Sequence, residues 1–329
     1  MSGHPGTKLK WYRFNIARRI RNLEGEELVT ELEDIIKDIQ EKKLDKFGVF
    51  KLQIQELEDM IAEIKEKPKV KGRQYDPFYV PISGDGRIAL FGLSNVGKST
   101  LMNAITNTEV KTGAYLHTTR EALAGTCEFE DVRIQIIDLP GFLDFKEDWT
   151  ISRQIVRVTR TSDAIMMVID LSMDIDRQYN FLMKQLEDAK LILNGITPYK
   201  ISIIATKGDL PGSKERYQEL LTKTDFPIYP ITIKSEDTLN GLKKCLFDQL
   251  GVIRVYTKKP GGKAEFEKPF VLPEGTTVAD VAKRIHTSFV KYFRYGRVWG
   301  TSVEHEGQQV GLEHELADKD ILEITVSRK

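Results

Sequence analysis

Residues Gly92 to Thr100 read G-L-S-N-V-G-K-S-T and directly follow the apolar run Ile88–Phe91. The glycines Gly92 and Gly97 allow backbone conformations that a side chain would obstruct, so that successive N–H groups can point to one centre. A strand, a glycine-rich turn and a helix that begins near Lys98 are the parts of a phosphate-binding loop. The stretch therefore predicts a strand–loop–helix unit that binds a nucleoside triphosphate.

The side chains of this loop have the chemistry that a triphosphate with Mg²⁺ requires. Lys98 can reach the β- and γ-phosphates, and the Ser99 hydroxyl can ligate the metal ion. The N-terminus of the following helix adds a partial positive charge. The nucleotide-binding residues predicted in this loop are Gly92, Ser94, Asn95, Val96, Gly97, Lys98, Ser99 and Thr100.

A second motif, Asp138-Leu139-Pro140-Gly141, ends a predicted strand. Asp138 can hold Mg²⁺ through a water molecule, and the Gly141 N–H can bond the γ-phosphate. This turn is therefore predicted to sense whether the γ-phosphate is present.

A third motif, Thr206-Lys207-Gly208-Asp209, follows the apolar strand predicted at 201–205. The Asp209 carboxylate can accept hydrogen bonds from the N1–H and exocyclic amine of guanine, a donor pair that adenine lacks. The Lys207 stem can cover the flat face of the base. The motif resembles the N/T-K-x-D element of GTPases, with Thr206 in the first place, and it predicts that the triphosphate is GTP.

Two further assignments rest on position in the chain. A loop between the two phosphate motifs should supply a threonine to Mg²⁺; Thr119 is the candidate, with Thr118 as the alternative. A second loop that contacts the base is expected near Thr232-Ile233-Lys234, where the usual Ser-Ala pair is not obvious.

Composition and charge narrow the class of protein. The 329 residues are 40% hydrophobic and 30% charged, with a formal net charge of zero. This balance is typical of a globular protein, and no global field directs it to nucleic acid or to an anionic membrane. The two cysteines predict no disulfide framework, and the sequence lacks both a membrane span and an apolar signal segment. We therefore expect a cytoplasmic protein.

Apolar periodicity predicts an α/β fold with a mostly parallel sheet, because strands alternate with helical patterns from about 87 to 250. The candidate strands are Arg87–Phe91, Val132–Asp138, Ala164–Asp170, Ile201–Thr206 and Ile228–Ile233. The expected divisions of the chain are a basic arm (1–25), a helical hairpin (26–68), a linker (69–86), the P-loop domain (87–250) and a small α+β domain (251–329).

The combined motifs resemble the developmentally regulated GTP-binding (DRG) proteins of the Obg group of GTPases. The resemblance covers nearly the whole chain, and its most specific part is C-terminal. The segments Ile253–Gly261, Leu272–Asp280, Ile285-His286 and Val298–Gly300 are similar to a TGS domain, a β-grasp module. The resemblance implies a GTPase domain followed by this module, and association with ribosomes and translation.

The sequence departs from the family pattern at two places. DRG proteins carry a subdomain between the second and third motifs, whereas here ordinary strand and helix patterns fill the interval from Gly141 to Thr206. Asparagine usually occupies the place of Thr206 and ties this loop to the phosphate loop, so the threonine is expected to weaken base binding. The chain is thus expected to be a divergent relative without the insertion.

Phe142 and Asn95 bear on catalysis. Many GTPases have a glutamine after the glycine of the second motif; the phenylalanine here cannot orient a water molecule, so intrinsic hydrolysis should be slow. Related GTPases use an asparagine at the position of Asn95 to hold K⁺ beside the phosphates, where a cation can assist catalysis. Asn95 has a second interpretation, as a residue that tolerates the backbone of the turn.

The sequence leaves more than one interpretation open for the binding partners and for the reaction. The first 23 residues contain six Lys or Arg and no acidic residue, with interleaved aromatic side chains, which suits RNA; a solvated terminus packed on the hairpin is the alternative. The hairpin or the C-terminal domain is a candidate surface for a protein partner. The main hypothesis is a slow GTPase switch, and the others are a guanine-nucleotide scaffold that does not hydrolyse and an ATPase, against which Asp209 speaks.

Overall fold

A computed structural model of the chain describes Tyr12, Ile16, Arg19, Ile20, Leu23 and residues 25–66, 80–106, 123–139, 141, 156–189, 191–192, 197 and 199–327. The chain divides into two compact units. In the described ranges, the first unit consists chiefly of residues 25–250, and the second consists chiefly of residues 251–327 with the turn at 130–132.

The first unit is built on a sheet that, in the described residues, has six strands in the order β2-β3-β1-β4-β5-β6. The pairs β1–β3, β1–β4, β4–β5 and β5–β6 are parallel. The strands are β1 (Gly86–Phe91), β2 (Leu123–Phe129), β3 (Val132–Asp138), β4 (Ala164–Asp170), β5 (Lys200–Thr206) and β6 (Ile228–Pro230). β1, β3, β4 and β5 are buried at nearly every position, as expected of parallel strands covered on both faces.

The parallel direction brings the carboxyl ends of four neighbouring strands to one edge of the sheet. The last residues there include Phe91 of β1, Asp138 of β3, Asp170 of β4 and Thr206 of β5. Three of these four are polar, although every one of them is buried. The fold thus concentrates polar side chains at the edge where ligands bind in open α/β sheets.

Helices alternate with the strands of the sheet, as the apolar periodicity predicts. In the described ranges of the first unit they are α1 (Gly25–Glu41), α2 (Gly48–Glu66), α3 (Lys98–Ile105), α4 (Ile175–Asp188), α5 (Ser213–Leu221) and α6 (Glu236–Leu250); residues 156–160 are helical too. Asp174 starts α4 by accepting a hydrogen bond from the backbone N–H of Arg177, as an N-cap residue does. Among the described residues, none of the helices is both long enough and apolar enough to cross a membrane.

Helices α1 and α2 form a hairpin whose apolar faces meet. Leu32, Ile35 and Phe50 are fully or almost fully buried there. Polar side chains of α2 are buried as well: Gln53 and Glu56 are each 5% exposed. The hairpin is therefore a packed layer of the structure.

Arg160, which follows β3 and precedes β4, contacts both the hairpin and α4. Its guanidinium lies 3.6 Å from the Asp59 carboxylate on α2 and 3.5 Å from the carbonyl oxygen of Ala189. Since the Arg160 side chain is only 8% exposed, this ion pair is shielded from water far more than a surface pair is.

The second unit contains a mixed sheet with, in its described residues, five strands in the order β10-β9-β11-β7-β8. Its elements are β7 (Val252–Lys258), β8 (Ala264–Pro273), α7 (Val278–Ile285), α8 (Thr287–Lys291), β9 (Phe293–Trp299), β10 (Gln308–Val310) and β11 (Asp320–Val326). β7 and β11 are parallel and the other pairs are antiparallel. A capping box between Thr277 and Asp280 starts α7, whose buried Val278 and Val281 complete the core.

The structure adds elements that the sequence patterns did not predict, chiefly β2 at the sheet edge and the short α8 and β10. Between Gly141 and Thr206, the described residues run through the helical stretch at 156–160, then β4, α4 and β5. The stretch at 156–160 precedes β4, α4 forms the crossover between the parallel strands β4 and β5, and no further domain lies among these described residues.

Candidate functional site

The glycine-rich loop joins β1 to α3 through residues in unusual backbone conformations. Gly97 has a φ of 95° and Asn95 a φ of 65°, both in the left-handed region. Glycine adopts this region freely, and asparagine does so more readily than most other residues. Gly92 serves close packing: an added Cβ would lie 2.8 Å from the Val168 carbonyl oxygen on β4. The local geometry therefore requires these residue types before any ligand is considered.

Lys98 crosses the inside of this loop. Its Nζ donates hydrogen bonds to the carbonyl oxygens of Gly92 (3.0 Å) and Leu93 (2.7 Å), and the residue is 6% exposed. Burial lowers the pKa of Lys98 from 10.5 to about 8, and the nearby Asp138 carboxylate partly opposes that shift. A buried ammonium at the N-terminus of a helix is electrostatically suited to a polyphosphate.

Ser99 and Asp138 form the next part of the site. The Ser99 hydroxyl donates to Oδ2 of Asp138, and the aspartate is 5% exposed. Burial raises the pKa of Asp138, while Lys98 and the serine bond oppose the rise. Within the described part of the chain, the buried Oδ1 has no hydrogen-bond partner. An unpaired buried carboxylate oxygen beside a hydroxyl fits Mg²⁺ or one of its water ligands.

The same site offers few protein ligands for a metal. In the residues that the structure describes, no three His, Cys, Asp or Glu side chains are grouped as metal ligands. Mg²⁺ normally keeps several waters and binds through one or two protein ligands together with substrate phosphates. The hydroxyl–carboxylate pair therefore matches a magnesium–nucleotide complex better than an all-protein metal cage.

Gly141 lies directly against the phosphate loop. A Cβ at this position would be 2.5 Å from Cα and 2.7 Å from the backbone nitrogen of Ser94. No larger residue fits without moving one of the two loops. The predicted γ-phosphate sensor thus contacts the predicted phosphate cradle.

The third motif is tied to the phosphate loop by its first residue. The Thr206 hydroxyl, buried at the end of β5, donates to the carbonyl oxygen of Val96 at 2.8 Å. Thr206 thus makes a hydrogen bond between the two loops, as asparagine usually does at this place, and weaker base binding stays a prediction.

The rest of the motif meets the second base-contacting segment. Asp209 accepts hydrogen bonds from the Thr232 hydroxyl (3.0 Å) and from Nζ of Lys234 (2.6 Å). These bonds lower the pKa of Asp209, with that to Lys234 the larger cause. Ile233 lies between these two partners and is 49% exposed. The structure thus brings the segment at 232–234 to the carboxylate that is predicted to recognise guanine.

Three predicted residues, Thr118, Thr119 and Phe142, lie outside the described residues, as does most of the basic arm at 1–25.

The site also contains Asp170, a residue that the sequence motifs did not identify. Nζ of Lys207 is 2.5 Å from Oδ2 of Asp170, at the end of β4. The sequence did contain a signal for Asp170, because it ends the apolar strand β4 just as Asp138 ends β3.

Comparison with known proteins identifies the families of the two units. A family model described as "50S ribosome-binding GTPase" matches residues 87–203, and one described as "TGS domain" matches residues 253–326. The chain is 28% identical to "GTP-binding protein 1" of Schizosaccharomyces pombe over 360 positions, which cover 91% of this chain and 98% of the relative.

It is also 27% identical to human "Developmentally-regulated GTP-binding protein 2" over 363 positions, which again cover 91% of the chain and 98% of the relative. The chain is a homologue of the developmentally regulated GTP-binding proteins. It is a GTP-binding protein with a P-loop GTPase domain and a C-terminal TGS domain. Because the aligned 363 positions span only 91% of 329 residues, the relative has residues without a counterpart in this DRG homologue.

Among solved structures, the FeoB G-domain from Methanococcus jannaschii is similar, with a TM-score of 0.38 and 22% identity. The match covers 50% of this chain and 97% of the FeoB domain. A similarity of this size gives no support to an inference about function.

Proposed function

We propose that this DRG homologue is a slow, Mg²⁺-dependent GTPase that acts as a conformational switch. The observation that carries the proposal is the meeting of Lys98, the Ser99–Asp138 pair and Gly141 at one edge of the sheet. Gly141 lies against Ser94, in the same loop as Lys98 and Ser99, so loss of the γ-phosphate would change the contacts between the two phosphate motifs.

Ser99 and Asp138 would hold Mg²⁺, the aspartate through water, and Thr119 is proposed as a further ligand. When bound, the ion neutralises charge on the β- and γ-phosphates. Lys98 neutralises the same oxygens from inside the loop, and the helix N-terminus orients them. The proposed role of Gly141 is to bond the γ-phosphate through its N–H group, which gives the switch its sensor.

Phe142 supports slow hydrolysis, because its side chain can neither donate nor accept a hydrogen bond with the attacking water. We propose K⁺ as the substitute catalytic charge, held by Asn95. The test is single-turnover GTP hydrolysis in KCl and in NaCl at equal ionic strength, with faster turnover expected in KCl.

The matched variant for this test is Asn95→Gly, because glycine keeps the left-handed backbone of residue 95 while the amide is lost. We expect the variant to bind GTP and to lose the difference between the two salts. Equal rates of the wild type in both salts, or a K⁺ effect that survives in the variant, would remove the K⁺ proposal.

Guanine selectivity is proposed to depend on Asp209. Asp209→Asn should shift preference from GDP towards xanthosine diphosphate, because the amide can donate to the oxygen that xanthine has in place of the amine. Asp225→Asn, on an exposed aspartate of the same unit, is the control. An unchanged preference in Asp209→Asn would show that the base binds elsewhere.

We propose that the switch acts in the cytoplasm on ribosomes or RNA during translation. The TGS domain, the basic arm at 1–25 and the relationship to DRG proteins support this proposal. Co-sedimentation with ribosomes should be stronger with a non-hydrolysable GTP analogue than with GDP. Equal pelleting in both states would contradict a nucleotide-controlled partner.

The alternative function is a guanine-nucleotide-binding scaffold for a protein or RNA partner. Phe142 is the feature that favours it. Single-turnover assays with and without ribosomes separate the two functions: product that forms only at the uncatalysed rate in both would favour the scaffold.

A further inference from the structure

Asp170 is a buried carboxylate that has no role in the proposed binding of phosphate and Mg²⁺. It is the last residue of β4, between β1 and β5, and it is fully buried. Burying a carboxylate is costly unless the charge is paired and hydrogen-bonded. The contacts of Asp170 should therefore indicate why the fold keeps a charge there.

Both oxygens of the carboxylate have partners. Oδ1 accepts hydrogen bonds from the backbone N–H (2.8 Å) and the hydroxyl (2.7 Å) of Ser172, and Oδ2 accepts from Nζ of Lys207. The Gln178 side chain bonds both the N–H and the carbonyl oxygen of Asp170, each at 2.9 Å. The carboxylate is thus fixed in orientation, with one oxygen directed at the lysine.

Lys207 is held at both ends. Its backbone lies in the left-handed region with a φ of 58°, and its ammonium group is paired with Asp170 at the end of the neighbouring strand β4. The Asp170 side chain has no exposed surface, whereas the Lys207 side chain is 39% exposed. Because the backbone and the ammonium group of Lys207 are both anchored, the apolar stem between them has little freedom to move.

We propose that Asp170 is a positioning residue for guanine-nucleotide binding, which holds the Lys207 stem where the flat face of the base will lie. This inference rests on the proposed base site at Thr206–Asp209. Asp170 acts through Lys207: a lysine that is already held in place loses less conformational entropy when the nucleotide binds than a mobile lysine would. Because GDP and GTP carry the same base, Asp170 affects both nucleotides equally.

The test is a double-mutant cycle on the full-length protein, with Asp170→Asn, Lys207→Met and the double variant, and with GDP affinity measured by calorimetry. Asparagine keeps the size of the side chain and an oxygen that can accept the Ser172 bonds. We expect each single variant to bind GDP about tenfold more weakly, and the double variant to bind no more weakly than Lys207→Met.

The control variant is Asp320→Asn in the second unit. Asp320 is also fully buried and accepts a hydrogen bond from the backbone N–H of Ala317 at 2.8 Å, so the variant reports the cost of neutralising a buried aspartate outside the P-loop domain. Its GDP affinity should not change. A role of Asp170 in folding alone would lower the unfolding free energy of Asp170→Asn and leave the GDP affinity of the folded protein unchanged, which would overturn the proposal.

Two other results would also overturn it. The first is a double variant whose loss of GDP affinity equals the product of the losses in Asp170→Asn and Lys207→Met. Such a product is expected of independent residues, whereas Asp170 is proposed to act through Lys207. The second is unchanged GDP affinity of Lys207→Met, which can be measured even where Asp170→Asn folds poorly. These outcomes differ from a failure of the proposed function: GDP binding requires no hydrolysis, and Asp209→Asn tests the base site separately.

Discussion

The hydroxyl of Thr206 offers the most direct test of how the site is held together. Thr206→Val keeps the shape of the side chain and removes the donor that bonds the Val96 carbonyl oxygen at 2.8 Å. Both residues are buried, at 5% and 0% exposure, so water does not replace the lost donor. Leaving a buried acceptor without its partner costs about 1–3 kcal/mol.

We therefore expect the free energy of unfolding of nucleotide-free Thr206→Val to fall by about 1–3 kcal/mol. Urea denaturation followed by circular dichroism measures this change. The bond also joins the base loop to the phosphate loop, so GDP should dissociate faster from the variant.

The control for this prediction is Thr222→Val at the end of α5. The Thr222 hydroxyl also bonds a backbone carbonyl, that of Glu219 at 2.7 Å, but this residue is exposed and water can replace the bond. The free energy of unfolding of Thr222→Val should differ from that of the wild type by no more than about 0.5 kcal/mol. The reasoning fails if Thr206→Val loses no more stability than Thr222→Val and releases GDP at the wild-type rate.

Three further perturbations have defined outcomes. Gly141→Ala would place a Cβ 2.5 Å from Cα of Ser94, and calorimetry should find the affinity for a GTP analogue reduced about tenfold and that for GDP reduced less. Burial raises the pKa of Cys127 from 9.0 to about 11, so the stability it contributes is present below pH 9 and is lost as the pH rises through 11. Relative to Cys127→Ala, the wild type should thus lose about 2–3 kcal/mol of unfolding free energy over that range in urea titrations. Lys234→Met frees an oxygen of Asp209, and because the Lys234 side chain is 74% exposed, GDP affinity should rise by no more than about fivefold.

Each of these predictions has a control and a contrary result. Gly241→Ala, where an added Cβ meets nothing within 4 Å, should leave both nucleotide affinities unchanged; equal losses for GDP and the GTP analogue in Gly141→Ala would contradict a sensor. Parallel pH profiles of the wild type and Cys127→Ala would show that the thiol does not titrate in this range. Weaker GDP binding by Lys234→Met, with Lys214→Met unaffected, would mean that Lys234 contacts the nucleotide.

The sequence predicted the parts of the fold whose burial is continuous. β4 (Ala164–Asp170) is buried at every position, and its boundaries and those of β3 agree with the apolar runs. β2 has no such run, because it lies at the edge of its sheet and has only Gly125 and Cys127 buried. An edge strand with so little buried surface leaves no periodic signal.

The candidate site divides in the same physical way. The phosphate motifs are local, so that Lys98 and Ser99 could be assigned from their neighbours in the chain. The segment at 232–234 could be predicted near the base from its position in the chain, but its hydrogen bonds to Asp209, 23 and 25 positions away, depend on packing rather than on spacing. Asp170 was missed for this reason, since its role is visible only once β4 and β5 are aligned.

Arg160 has a consequence for how the protein can be shortened. A chain truncated to begin at Val80 would keep the P-loop and the base loop but lose α2, and with it the carboxylate of Asp59. The guanidinium, 8% exposed in the intact chain, would then lose its counter-ion, and the apolar face that α2 packs in the hairpin would be missing. A minimal fragment that is meant to retain the properties of the GTPase domain should therefore begin before Gly25, although every nucleotide-binding motif lies after residue 90.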